Sequence, residues 1–136
     1  MLSRDDILNA EDMTIERVDL PEWSPNGHKD EAFVFVRNMT GRERDAFEKT
    51  IVQQRGKKSV VNMENFRAKL FVHSVCDEQG ELLFSDADVK ALSEKSAAPL
   101  QRVFDVASRL SGISSRDVEE LTEELEENPF DGSASD

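Results

Sequence analysis

Apolar residues recur along this chain with two different periods, and the change of period divides it. Near the N-terminus, Thr14-Ile15-Glu16-Arg17-Val18-Asp19-Leu20 alternates apolar with polar, the two-residue rhythm of a half-buried strand. Pro21 ends it, Ser24-Pro25-Asn26-Gly27 carries turn chemistry, and Ala32-Phe33-Val34-Phe35-Val36-Arg37 reads as a second strand. The two runs predict a hairpin with a connection longer than two residues, and Trp23 packs at its edge. Ahead of it, Ser3 with Asp6 three residues on caps a short helix through about Ala10.

From Thr40 the period becomes helical. Thr40-Gly41-Arg42-Glu43 is a capping box, in which hydroxyl and carboxylate reciprocally satisfy orphan amides at a helix start. Phe47 and Ile51 sit one turn apart on that helix, which ends near Gln54. Arg55-Gly56-Lys57-Lys58-Ser59 reads as a polar, basic loop. A further helix runs from about Asn62 to Cys76, with Phe66, Leu70, Phe71 and Val75 on a broad apolar face. Asp77-Glu78-Gln79-Gly80 is a turn, Leu82-Leu83-Phe84 a short extended segment, and Ser85-Asp86-Ala87-Asp88 caps a short helix bearing Val89 and Leu92. Pro99 suits the first turn of the next helix, whose stripe is Leu100, Val103, Phe104, Ala107 and Leu110, and Gly112 supplies its stop. Ser114 caps a last helix with Val118, Leu121 and Leu125, and the tail beyond Asn128-Pro129 reads as disordered.

These elements predict an α+β fold: a short N-terminal helix and β-hairpin, then a bundle of about four to five α-helices, then a disordered acidic tail. Residues 1–39 hold the N-terminal helix and hairpin, and 40–112 the helical body, the two forming one domain. Residues 113–127 are an acidic amphipathic helix and 128–136 the tail.

Charge changes the picture most. The 136 residues carry a formal net charge of −12, which disfavours nucleic acid or an anionic membrane surface as partner. Seven carboxylates lie between Asp117 and Glu127, around the Val118–Leu121–Leu125 stripe, with no Lys or Arg after Arg116. Like charges without opposite partners weaken an isolated helix, so this segment reads as one that docks on the body or on another protein. Cys76 is the single cysteine, so no intramolecular disulfide forms and a reducing cytosol is the expected compartment. The N-terminus runs straight into charge without a secretory apolar region, and no window reaches the roughly 18 apolar residues of a membrane span.

Candidate chemistry is weak. Gly56-Lys57-Lys58-Ser59 lacks the earlier glycine of a phosphate loop, position 51 being Ile. His73 and Cys76, three apart on one predicted helix face, supply two metal ligands at most, and His28 is the other histidine. Between Asp77 and Asp88, Leu82-Leu83-Phe84 interrupts the oxygen ligands a calcium loop needs. No catalytic, cofactor or metal residue is therefore assigned, and the expectation is a protein binder that catalyses no reaction.

The helical region resembles a known family. Thr40-Gly41-Arg42-Glu43-Arg44-Asp45-Ala46-Phe47-Glu48, Asn65-Phe66-Arg67-Ala68-Lys69-Leu70, and Cys76-Asp77-Glu78-Gln79-Gly80 leading to Leu83-Phe84-Ser85-Asp86-Ala87-Asp88-Val89 carry the resemblance. Its strongest piece is Leu92-Ser93-Glu94-Lys95-Ser96-Ala97-Ala98-Pro99-Leu100-Gln101-Arg102-Val103-Phe104, continuing to Ala107, Leu110 and Gly112. In order and spacing these are similar to tail assembly chaperones of long-tailed, siphovirus-type bacteriophages, over about residues 1 to 125. The resemblance implies a non-enzymatic protein of the host cytoplasm, absent from the mature virion. It implies binding to the long, helical, poorly soluble tape-measure protein, and recruitment of the tail-tube protein through a frameshifted longer form. Weak self-association, strengthened by client, is expected. The helical stripes nominate Leu100, Phe104, Leu110, Val118, Leu121 and Leu125 as partner-binding residues. The competing class is a small acidic adaptor or a virion structural protein such as a head–tail joining component.

Overall fold

The computed structural model describes residues 1–61 and 64–113. The fold is α+β, with five α-helices and a three-stranded antiparallel sheet among the described residues. Helix α1 (Arg4–Leu8) opens with a complete capping box between Ser3 and Asp6. Strands β1 (Ile15–Asp19) and β2 (Phe33–Arg37) form the expected antiparallel hairpin, with Val18 opposite Val34 and Arg17 opposite Phe35. Two single-turn helical segments, Pro21–Trp23 and Lys29–Glu31, fill the connection between them. Trp23 lies edge-on to Phe71, ring centroids 6.0 Å apart, which joins this connection to the core.

Helix α2 (Gly41–Ile51) starts at the Thr40–Glu43 capping box and buries Phe47 and Ile51, as the spacing predicts. Its end differs from the sequence reading. The chain leaves the helix at Val52 and enters strand β3 (Val52–Arg55), which pairs with β4 (Lys58–Val61). The stretch read as a basic loop is thus a hairpin closed by Gly56 and Lys57. Gly56 takes φ +67°, which suits the first central position of a two-residue hairpin turn. Val52, Val60 and Val61 supply the β-branched flanks, a strand signal that the surrounding charge obscures.

The next helix is also shorter than its period suggests. Helix α3 covers Phe66–Val72, and the chain then forms strand β5 (Val75–Cys76) against β2. Val75 follows Phe71 by four residues and is fully buried, so helix and strand both satisfy its burial. The backbone decides between them: the Arg37 amide donates to the Ser74 carbonyl, and Val36 and Phe35 pair with Val75 and Cys76. His73, the α3 C-cap, and Cys76, on β5, therefore do not share a helix face. Helices α4 (Val89–Ser93) and α5 (Ala97–Leu110) complete the described body, and Pro99 sits in the first turn of α5. Gly112 ends it at φ +70°. The predicted helix from Ser114 and the tail 128–136 lie outside the described residues.

The sheet order is β1-β2-β5, and Leu82 adds an isolated bridge to Cys76 beyond β5. Helix α5 lies against β1 and β2, α3 packs on α5, and α2 and α4 contact α3. Between these layers sit Leu20, Val36, Phe47, Leu70, Phe71, Val75, Val103 and Ala107, all almost wholly excluded from water. Rings continue the packing from Phe47 to Phe66 and from Phe66 to Phe104, each pair 5.4 Å apart.

Candidate interaction site

Strand alternation sends two sets of side chains to opposite faces of the sheet. Val18, Val34 and Val36 face the helices. Ile15, Arg17 and Asp19 on β1, with Phe33 and Phe35 on β2, face away from them. Cys76 on β5 and Leu82 beside it extend this outer row, because Phe35 pairs with Cys76 and Cys76 with Leu82. Ile15 is 36% exposed, Phe33 38% and the adjoining Met13 51%. Phe33 and Phe35 pack edge to face at 5.5 Å. The Arg17 guanidinium lies 3.9 Å from the Phe33 ring centroid, while its Nε donates to Asp19 at 3.0 Å and its Nη2 to the Asp30 carbonyl at 2.9 Å.

At the other end of this face Arg37 is buried under the Asp77–Glu81 turn. Its Nε donates to the Gly80 carbonyl at 2.7 Å, and its two terminal nitrogens hold both Glu43 oxygens at 2.8 and 2.7 Å. The pair fastens the sheet to the first turn of α2. Arg37 beside it brings the Glu43 carboxyl down to about 2, against the opposing effect of burial, and the Thr40 amide adds to the same direction. Glu43 in turn raises the Arg37 guanidinium. Gly80 takes φ +86°, which favours glycine, and a Cβ there would stand 2.5 Å from Sδ of the half-exposed Met13 side chain, which would have to shift.

The sequence-nominated residues are dispersed. Leu100 is 5% exposed and lies in the core; Phe104 and Leu110 are half-buried against it and keep partial exposure. Val118, Leu121 and Leu125 lie outside the described residues. His73 caps α3 with its ring 5.8 Å from Phe47 and its Nε2 3.2 Å from an Asp86 oxygen. Cys76 is 1% exposed, and burial pushes its thiol up, away from a reactive thiolate, despite the nearby Arg37 charge. Among the described residues no group of three His, Cys, Asp or Glu side chains is placed to hold a metal ion, and no helix is long and apolar enough to cross a membrane. The outer sheet face was missed by a reading that sought binding surface on helices. Its signal was present in the apolar Ile15, Phe33 and Phe35, which occupy the same face as Arg17 and Asp19.

The described residues thus form an α+β fold with one sheet face packed by helices and the other carrying no helix of the described residues. The family model for phage tail assembly chaperones matches residues 4–124, and the chain belongs to that family. No curated protein and no solved structure matches it. Membership implies phage tail proteins as its partners.

Proposed function

We propose that this chain binds the tape-measure protein of its phage, keeps it soluble and so promotes assembly of the tail tube, without catalysing a reaction. The family match over residues 4–124 carries the reading. Two physical features support it. The described surface displays large apolar side chains, among them Ile7, Leu8, Met13, Phe33 and Leu83, which an exposed helical client can cover. The net charge of −12 keeps such a surface dispersed while it is unoccupied. The chaperone acts in the host cytoplasm, self-associates weakly, meets the tail-tube protein through a frameshifted longer form, and leaves before the virion is complete.

Co-expression with the tape-measure protein of the same genome tests this. The expected result is a soluble client that co-purifies with the chain. A client that stays insoluble, with no complex recovered, overturns the proposal.

A further inference from the structure

We propose that the open face of the β1-β2-β5 sheet is the docking surface for a cationic amphipathic helix of a partner protein, one whose aliphatic stripe is flanked by Lys and Arg. This names the face and the partner chemistry for the function proposed above, and rests on that reading only for who the partner is.

The shape argument starts from the other side of the sheet. There an amphipathic helix, α5, lies across β1 and β2 and closes the core. The open face repeats the same strands with apolar side chains and no helix of the described chain upon it: Phe33, Phe35, Ile15 and Leu82, continued by Met13. A sheet with apolar residues on both faces is completed by a layer on each.

The charge argument selects the occupant. At the Met13 end, exposed Asp12 precedes Met13 and the turn bearing exposed Glu78 and Glu81 meets Met13 through Gly80, while at the Phe33 end Asp19 is paired with Arg17 and Asp30 lies beside Lys29. The cations of the face are already engaged, Arg17 with Asp19 and the Asp30 carbonyl, and Arg37 with Glu43. Lys29, near Asp30 and Arg17, is a further exposed cation at the Phe33 end. An apolar strip with an acidic Met13 end attracts a helix bearing Lys and Arg and repels one bearing Glu.

The test titrates the full chain with a synthetic Leu/Lys peptide whose leucines recur at helical spacing, followed by NMR. Controls are a scrambled peptide of identical composition and a Leu/Glu peptide. Saturable binding of the patterned Leu/Lys peptide is expected, with shifts concentrated at Ile15, Phe33, Phe35 and Leu82. An Ile15→Ser/Phe33→Ser variant should bind roughly tenfold more weakly, and so should Met13→Ser, which lies outside the strands and leaves the hairpin intact. Equal affinity for the scrambled peptide, shifts centred elsewhere, or undiminished binding by both variants overturns the proposal. The same variants are carried through the co-expression experiment. If they lose the peptide yet still solubilise the tape-measure protein, the face assignment fails and the chaperone reading stands. If the native chain binds the peptide at this face but leaves the client insoluble, the chaperone reading fails instead.

Discussion

The two faces of the three-stranded sheet are built by the same strands and differ in what finishes them. On the helix side, Val18, Val36 and Val75 lose essentially all contact with water because α5 and α3 belong to the same chain. On the far side, Ile15 and Phe33 keep more than a third of their surface exposed, and among the described residues it is the turn carrying Gly80 that closes the Arg37 end. Apolar residues are therefore no guide by themselves to which side folds the protein. The helix side is sealed along its length by this chain's own helices, whereas on the far side the described residues seal the Arg37 end and leave the Ile15–Phe33 end partly exposed.

The contrast is broken most severely from the helix side. Val36→Asp places an unpaired carboxylate where the native side chain has no exposure, at a cost expected to exceed about 4 kcal/mol, so urea titration should show an unfolded chain. Arg37→Met comes next. Glu43 loses its bidentate partner while remaining partly buried, and the expected loss is about 3 kcal/mol by chemical denaturation. The pH dependence follows from the same pair. The folded Glu43 carboxyl lies at about 2, below its ordinary 4.5, so its contribution is fully present above pH 4.5. That contribution fades as pH falls from 4.5 toward 2. The stability of Arg37→Met, followed by thermal melts across that window, should fall less steeply with acid than the native chain's.

What the sequence disclosed depended on how local the signal was. The caps at Ser3 and Thr40 are read from four consecutive residues each, and both form capping boxes. The β1–β2 hairpin and the α5 stripe are likewise legible from their own periods. Strand β5 was not, because it exists through pairing with β2, Cys76 meeting Phe35 across a long stretch of chain. A buried Val75 fits either a helix or a strand, and the long-range ladder decides. The β3–β4 hairpin was hidden differently: Gly56 between β-branched flanks is a hairpin cue, but its cationic neighbours read equally as a loop. For the binding residues the sequence could show that the α5 stripe is apolar, not that Leu100 is spent in the protein's own core. Conversely, strand alternation marked Ile15, Phe33 and Phe35 as sharing a face, while only the packing reveals that this face is open.

A smaller perturbation asks how the closed end of the open face is held. Gly80→Ala combines an unfavourable φ of +86° with a Cβ 2.5 Å from Met13 Sδ, for an expected loss of about 1–2 kcal/mol in thermal or urea unfolding. Met13→Ala in the same chain removes the collision but not the backbone strain, so it should recover part of the loss. Full recovery would show that the contact alone fixes the turn.

The smallest effect on stability should come from Ile15→Ser, and its smallness is the point. Ile15 is 36% exposed, with its Cδ1 3.6 Å from where a Gly80 Cβ would lie, so its aliphatic burial is only partial and its loss strands no polar group. A loss of under about 1 kcal/mol in urea unfolding is expected. A loss as large as that of Arg37→Met would mean that the Ile15–Phe33 end of the outer face is as structural as its Arg37 end, and the division between a closed end and a receptive end would fail. With stability nearly intact, any fall in partner affinity must instead reflect contacts made on that face.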